Sequence, residues 1–467
     1  MSDFSNKCRA HIEHAGTNVY QLAKISGLDR TSLQRMVSGK RLPGKDFVKR
    51  LLPYLRLNIQ QQEELLELYE AESLGKTVYY NRLYIKGILE HLSFRRYPGD
   101  LYTSCAPASF DTIQAVSHFL KEALLSEKEP ACLCTNLPAT HISFFQALLY
   151  LRAKYQCSFA LRHLFRMVRT PEASDNANAN LEILNCVLGF SCTGCNYSPS
   201  YFYTSDTLSE SSTVLFPYFV LTEKKALLLS GDMQHHMTLD TPSCVATLQK
   251  EFDRQFNLAL PFLFTQKTPE EAMNFYCTIT ASLNGSSKVL ESQPCIYSLL
   301  DSQELFLRTF GDNTRPSSLL EMSRKLSEKR DSTFQDFFTA DGIRDFARTG
   351  SLSGPYGCLP VTFSPQERRR MLLHFLKDPF SSGNYTMLRS GSLCLPRAYC
   401  EVFSDYTVFL CLLESQDTFI SFHIKEVSIG QAFWDYLSSL DDLSIACSPK
   451  ETEEFVRSLL NELEQTC

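Results

Sequence analysis

No apolar run in this 467-residue sequence reaches the length needed to span a bilayer. The best candidate, Val214 to Leu229, is interrupted by Lys224 and Lys225. A secretory leader is also missing, since Met1-Ser2-Asp3-Phe4 leads straight into a polar helix. Enzyme signatures are absent as well: there is no GxxxxGK[ST], no GxGxxG after a strand, no HExxH and no GxSxG. No period of repetition marks a solenoid. Cysteine is plentiful, but its seventeen residues are odd in number and form no framework, which argues against a disulfide-stapled scaffold. These absences lead us to expect a cytoplasmic protein with reduced thiols, no membrane partner, no cofactor and no catalytic activity.

At this length two to four domains are expected. Hydrophobic residues make up 44% and charged residues 21%, as in ordinary globular proteins. The net charge of -6 hides an uneven distribution. Residues 1–56 carry eleven Lys or Arg against four Asp or Glu, a net +7, and the remainder carries 35 against 48, a net -13. A basic head on an acidic body confines phosphate attraction to the head.

The stretch that organises the head is Thr17 to Pro43, TNVYQLAKISGLDRTSLQRMVSGKRLP. Thr17 is the predicted cap of a helix carrying Leu22, Ala23 and Ile25, and Gly27 supplies the left-handed backbone that ends it. Asp29 caps a second helix whose Leu33, Met36 and Val37 fall on one face. Gly39 ends that helix and Pro43 lies beyond it. Ala23 and Gly27 are small where the two helices must cross. Phe4 to Ala15, Asp46 to Leu55 and Gln60 to Ser73 read as three further helices. Pro53 must kink or shorten the middle one, because it lacks an N–H.

On Leu22-Ala23, Gly27, Thr31-Ser32-Leu33 and Gly39-Lys40-Arg41-Leu42-Pro43, residues 4–72 resemble the Cro/cI-type (Xre family) helix-turn-helix of phage repressors and bacterial regulators. The resemblance implies that the second helix lies in the DNA major groove. It places Arg30, Thr31, Gln34 and Arg35 at base edges, where Arg suits guanine, Gln adenine and Thr a thymine methyl. Asn18, Ser38, Lys40 and Arg41 would meet phosphates. Lys45 and Lys49 read better as solvated surface residues.

Beyond Gly75, Lys76 to Leu92 reads as a connecting helix whose Tyr, Ile and Leu stripe suits a core better than a dimer seam. From about Tyr97 the texture is mixed. Phe110 to Leu125 and Ser143 to Tyr155 read as helices, and Ala131 to Thr135 and Cys157 to Leu164 as strands, which is a βαβ rhythm. Leu181 to Leu188, Tyr201 to Tyr203, Tyr218 to Leu221 and Ala226 to Leu229 are expected to continue a sheet, the last two as a hairpin around Thr222 to Lys225. Cys244 to Phe256 reads as a helix. After a polar break at Thr265 to Glu271, helices are expected at Ser317 to Lys329, Pro365 to Lys377, Ile429 to Leu440 and Pro449 to Leu463. Strands are expected at Tyr399 to Val402, Tyr406 to Leu413 and Phe419 to Ile424.

The predicted fold class is therefore multidomain: an N-terminal all-α helix-turn-helix unit of five short helices, then a mixed α/β and α+β body. The divisions fall at 1–75, a connecting helix 76–96, an α/β part 97–265 and an α+β part 266–467. Other chemistry is sparse. Cys192-Thr-Gly-Cys195 with Cys186 is the one thiol cluster that could serve a metal, but a structural zinc site needs four ligands, and free thiols are the plainer reading. The middle region loosely resembles the phospholipase D-like fold, whose signature pairs His-x-Lys with a following Asp. His423-Ile-Lys425 is the only such triplet, and Gly430 stands where the Asp would be. Gly350 to Gly357 fits no nucleotide motif and reads as a turn. The leading expectation is a transcriptional regulator, of repressor type, that binds a double-stranded DNA operator as a homodimer through residues beyond 75 and answers to a small-molecule or protein effector. The alternative is an enzyme or effector whose helix-turn-helix is a targeting or protein-interaction module.

Overall fold

The computed structural model describes residues 2–92, 109–126, 130–169, 178–204, 215–282, 285–310, 334–353, 359, 361–393, 395, 398–415, 418–441 and 444–466. The chain divides into two compact units, Met1–Leu83 and Tyr84–Cys467. The predicted helix at 317–329 lies outside the described residues. Among the described residues, no helix is long and apolar enough to cross a membrane.

The first unit contains α1 (Asp3–His14), α2 (Val19–Ser26), α3 (Arg30–Val37), α4 (Lys45–Leu51), α5 (Ile59–Leu74) and the start of α6 (Lys76–His91). Its boundaries follow from its caps. Asn18, rather than Thr17, caps α2 by accepting the Gln21 N–H at 3.0 Å. Gly27 ends that helix at φ +66°, and Asp29 caps α3 through the Ser32 N–H at 2.6 Å. Pro53 acts as expected: α4 stops at Leu51 and tightens into a 3₁₀ turn over Leu52–Tyr54. Asn58 and Gln61 form a reciprocal capping box on α5. Phe4, Leu22, Leu33, Met36, Val48, Leu51 and Leu65 are completely buried and close this small core. Ile25, by contrast, is 60% exposed.

The body holds two seven-stranded mixed sheets. The first comprises β1 (Ala131–Thr135), β2 (Phe159–Val168), β3 (Asn196–Thr204), β4 (Tyr218–Leu221), β5 (Ala226–Leu229), β6 (His236–Leu239) and β7 (Leu260–Pro261). The second comprises β8 (Phe264–Gln266), β9 (Ser287–Glu291), β10 (Phe334–Thr339), β11 (Tyr385–Leu388), β12 (Ala398–Phe403), β13 (Val408–Ser415) and β14 (Thr418–Ile424). The first is ordered β6-β5-β4-β1-β2-β3-β7 and the second, read from its far edge, β8-β14-β13-β12-β9-β10-β11. Apart from the short strands β7 and β8, the two orders are the same. In both, the first three strands run parallel to one another and the next three are antiparallel. The body is thus an internal duplication in architecture, and no sequence repeat announced it.

The helices are α7 (Phe110–Ser126), α8 (Ile142–Tyr155), α9 (Ala179–Ser191), α10 (Pro242–Leu258), α11 (Pro269–Ser282), α12 (Ile296–Leu299), α13 (Gln303–Phe310), α14 (Ala340–Thr349), α15 (Pro365–Lys377), α16 (Val427–Ser439) and α17 (Pro449–Thr466). Leu181 to Leu188, expected in the sheet, lies inside α9. That helix is buried nearly all round, so its apolar run carries no 3.6-residue alternation to distinguish it from a buried strand.

The two sheets share one core. Phe165 and Met167 of β2 and Leu184 and Leu188 of α9 belong to the same buried cluster as Leu410 of β13, Phe422 of β14 and Phe433 of α16. Ile85, Ile88 and Leu89 of α6 are buried in it too, so this half of the connecting helix is core. Polar contacts fix the register across the junction. Asn180 donates to the Val168 carbonyl at 2.8 Å and the Ser428 hydroxyl at 2.9 Å. Tyr203 donates to Glu426 at 2.6 Å, and Glu426, 2% exposed, also accepts the Ile429 N–H at the start of α16. The chain crosses between the sheets at 260–266: β7 pairs with β3, Phe262 and Leu263 enter the shared core, and β8 pairs with β14.

Candidate functional site

On the head, packing of Leu33, Met36 and Val37 inward turns the other side of α3 to solvent. Arg30, Thr31, Gln34 and Arg35 are all exposed there, with Lys40 and Arg41 exposed just beyond. The Arg30 guanidinium lies over the exposed Tyr20 ring, 5.3 Å from its centroid. Asn18 and Ser38 differ from the other candidates. Asn18 spends its oxygen on the cap of α2, and the Ser38 hydroxyl donates to the Arg35 carbonyl at 3.0 Å.

The thiols of the body do not form a ligand set. Cys186, Cys192 and Cys195 are buried, and among the described residues no group of three or more His, Cys, Asp or Glu could hold a metal ion. Burial pushes the Cys192 thiol up to about 12. The Cys195 sulfur accepts from Arg152 at 3.1 Å and from Thr193 at 3.2 Å. The His-x-Lys triplet is equally unsuited to catalysis. His423 is fully buried against Phe264 and Phe275, burial depresses it to about 4, and neither ring nitrogen has a hydrogen-bond partner among the described residues. Gly430 packs so tightly on the Tyr406 carbonyl that an aspartate Cβ would overlap it.

A groove of about 390 Å³ does occur in the body, at the seam where the chain crosses between sheets. Asn196, Ser198 and Ser200 of β3 line one side, and Leu263, Thr265 and Lys267 of the crossover line the other. Tyr197 is part of the lining too. The Tyr197 hydroxyl hydrogen-bonds Nδ1 of the buried His163 at 2.7 Å, and Nε2 of that ring meets the Leu137 carbonyl at 2.7 Å. A carbonyl only accepts, so Nε2 carries the proton and Nδ1 accepts from the tyrosine. Sequence reading missed this groove. Its lining is spread over some seventy residues of chain, and only the pairing of β7 with β3 and of β8 with β14 brings the parts together.

No family model matches the chain, and no curated protein matches it. Among solved structures, a polyphosphate kinase from Porphyromonas gingivalis matches at 12% identity over 75% of this chain, with a TM-score of 0.22. The chain spans about half (54%) of that structure. This corrects two expectations, a sequence-specific transcriptional regulator and a protein that is not an enzyme: the match, over three quarters of the chain, is to an enzyme. At that TM-score neither the kinase's fold nor its activity passes to this chain.

Proposed function

We propose that this protein acts through its duplicated body, as an enzyme or ligand-binding effector, and that its head is a targeting or protein-interaction module. The Asn18 cap, Gly27 turn and Asp29 cap of the head are compatible with the resemblance to a Cro/cI-type helix-turn-helix, and the exposed Arg30, Gln34, Arg35, Lys40 and Arg41 suit an acidic partner surface. The observation that carries the reading is the seam groove. It is concave, lined by polar side chains from both sheets, and built without any residue of the head. The cytosol is the proposed compartment, since no disulfide joins the described cysteines.

Thermal unfolding of the full chain against a panel of small metabolites and short peptides, without DNA, tests the reading. A ligand at 100 times its Kd should stabilise the body by about 2.7 kcal/mol. Ser198→Trp, which fills the groove from an exposed position, should abolish that shift. A full chain that is stabilised only by duplex DNA, equally in wild type and Ser198→Trp, would overturn the proposal.

A further inference from the structure

The seam groove borders a strand edge, and this decides what kind of molecule suits it. On its inner side β3 pairs with β2 along its whole length, from Asn196 to Thr204. On its outer side β7 pairs only with Ser200 and Tyr201. Residues 196–198 therefore have no described main-chain partner on that side. The outward direction is set by Pro199, whose carbonyl accepts the Phe262 N–H at 3.0 Å. Main-chain groups alternate in direction every two residues, so the N–H and C=O of Tyr197 point the same way, into the groove. Proline at 199 fits this placement, because its missing N–H falls on the open edge and not on the β2 ladder. An edge left open in this way is a template for another strand. The groove beside it removes the steric obstacle, and its Ser, Thr and Asn side chains leave room for a second backbone.

Charge marks one end. Lys267 is exposed at the far side of the groove, and its ammonium pairs with no carboxylate among the described residues. We infer that the groove takes an extended peptide that adds as a strand to β3 at 196–198 and places a carboxylate at Lys267. The open edge is about 10 Å long at ~3.3 Å per residue, so the peptide docks through about three residues. Main-chain hydrogen bonds to Tyr197 supply most of the affinity. This inference rests on the reading of the groove as the working site of the body.

The experiment is selection of random pentapeptides with free C-termini on the full-length protein, followed by titration of the enriched sequences. Enriched peptides should carry a carboxylate near one end, and N-methylation of a central amide should weaken them at least tenfold. Ser198→Trp should abolish binding and Lys267→Glu should weaken it at least tenfold, while circular dichroism shows both variants folded. Enriched peptides that bind Ser198→Trp and wild type equally, or that tolerate N-methylation, overturn the inference. So does a selection that enriches none. If the metabolite panel then yields a ligand blocked by Ser198→Trp, the groove remains the working site and only its occupant was misassigned.

Discussion

The buried His163 makes the body sensitive to acid in a way that can be worked out from its neighbours. The ring is completely buried. Its Nε2 proton is committed to the Leu137 carbonyl, and its Nδ1 accepts from the Tyr197 hydroxyl, so the neutral ring is fully hydrogen-bonded. Protonation would turn the Tyr197 hydroxyl from donor to acceptor and place a charge at a completely buried site. Burial accordingly depresses the imidazole to about 4, against about 6.5 when exposed. Above pH ~6.5 both folded and unfolded chains hold a neutral ring, and the contribution to stability is complete. As the pH falls from ~6.5 to ~4, the unfolded chain binds a proton that the folded chain does not, and stability drops. The loss is about 3 kcal/mol over that window, at ~1.4 kcal/mol per pH unit. His163→Gln keeps a donor and an acceptor without a titrating group. It should cost roughly 1–3 kcal/mol independent of pH, from imperfect packing and hydrogen bonding. The wild-type advantage over His163→Gln should therefore shrink by about 3 kcal/mol between pH 7 and pH 4. His423, also held near 4, is present in both proteins and cancels. Trp434, the only tryptophan, lies on α16 within the body, so its fluorescence in a urea titration follows the relevant transition. A wild-type advantage that stays constant across this pH range would show that His163 titrates normally in the fold and would refute the argument.

Two further outcomes follow from polar contacts. Tyr203→Phe removes the donor to Glu426 and leaves a buried carboxylate oxygen short of one hydrogen bond, so the Trp434 transition should lose about 1–3 kcal/mol; an unchanged midpoint would mean water replaces the hydroxyl. Asp29→Ala removes the cap of α3 and should cost the head about 1 kcal/mol. That loss should be seen in the far-ultraviolet helix signal and not by Trp434, and a parallel shift in both would show that the two units unfold as one.

Much of the head was legible because its determinants are local. Gly27, Asp29, the Asn58–Gln61 box and Pro53 act on backbone groups within about four residues, so the sequence alone announces where each helix starts and stops. Thr17 and Asn18 compete for one cap, and only the folded backbone decides that Asn18 takes it. The hairpin around Thr222 to Lys225 and the late strands β12 to β14 were readable for the same local reason. In the body the sequence determined an alternation of strands and helices. It could not show that β1 to β6 and β9 to β14 repeat one strand order, because that order depends on pairings between residues far apart in the chain. Leu181 to Leu188 looked like a strand because a helix buried on all sides has no polar face to mark its period. The seam groove arises where three strand edges meet, and no single segment encodes it. Local hydrogen bonding is written along the chain, whereas edges, seams and shared cores come into being only when distant segments pack together.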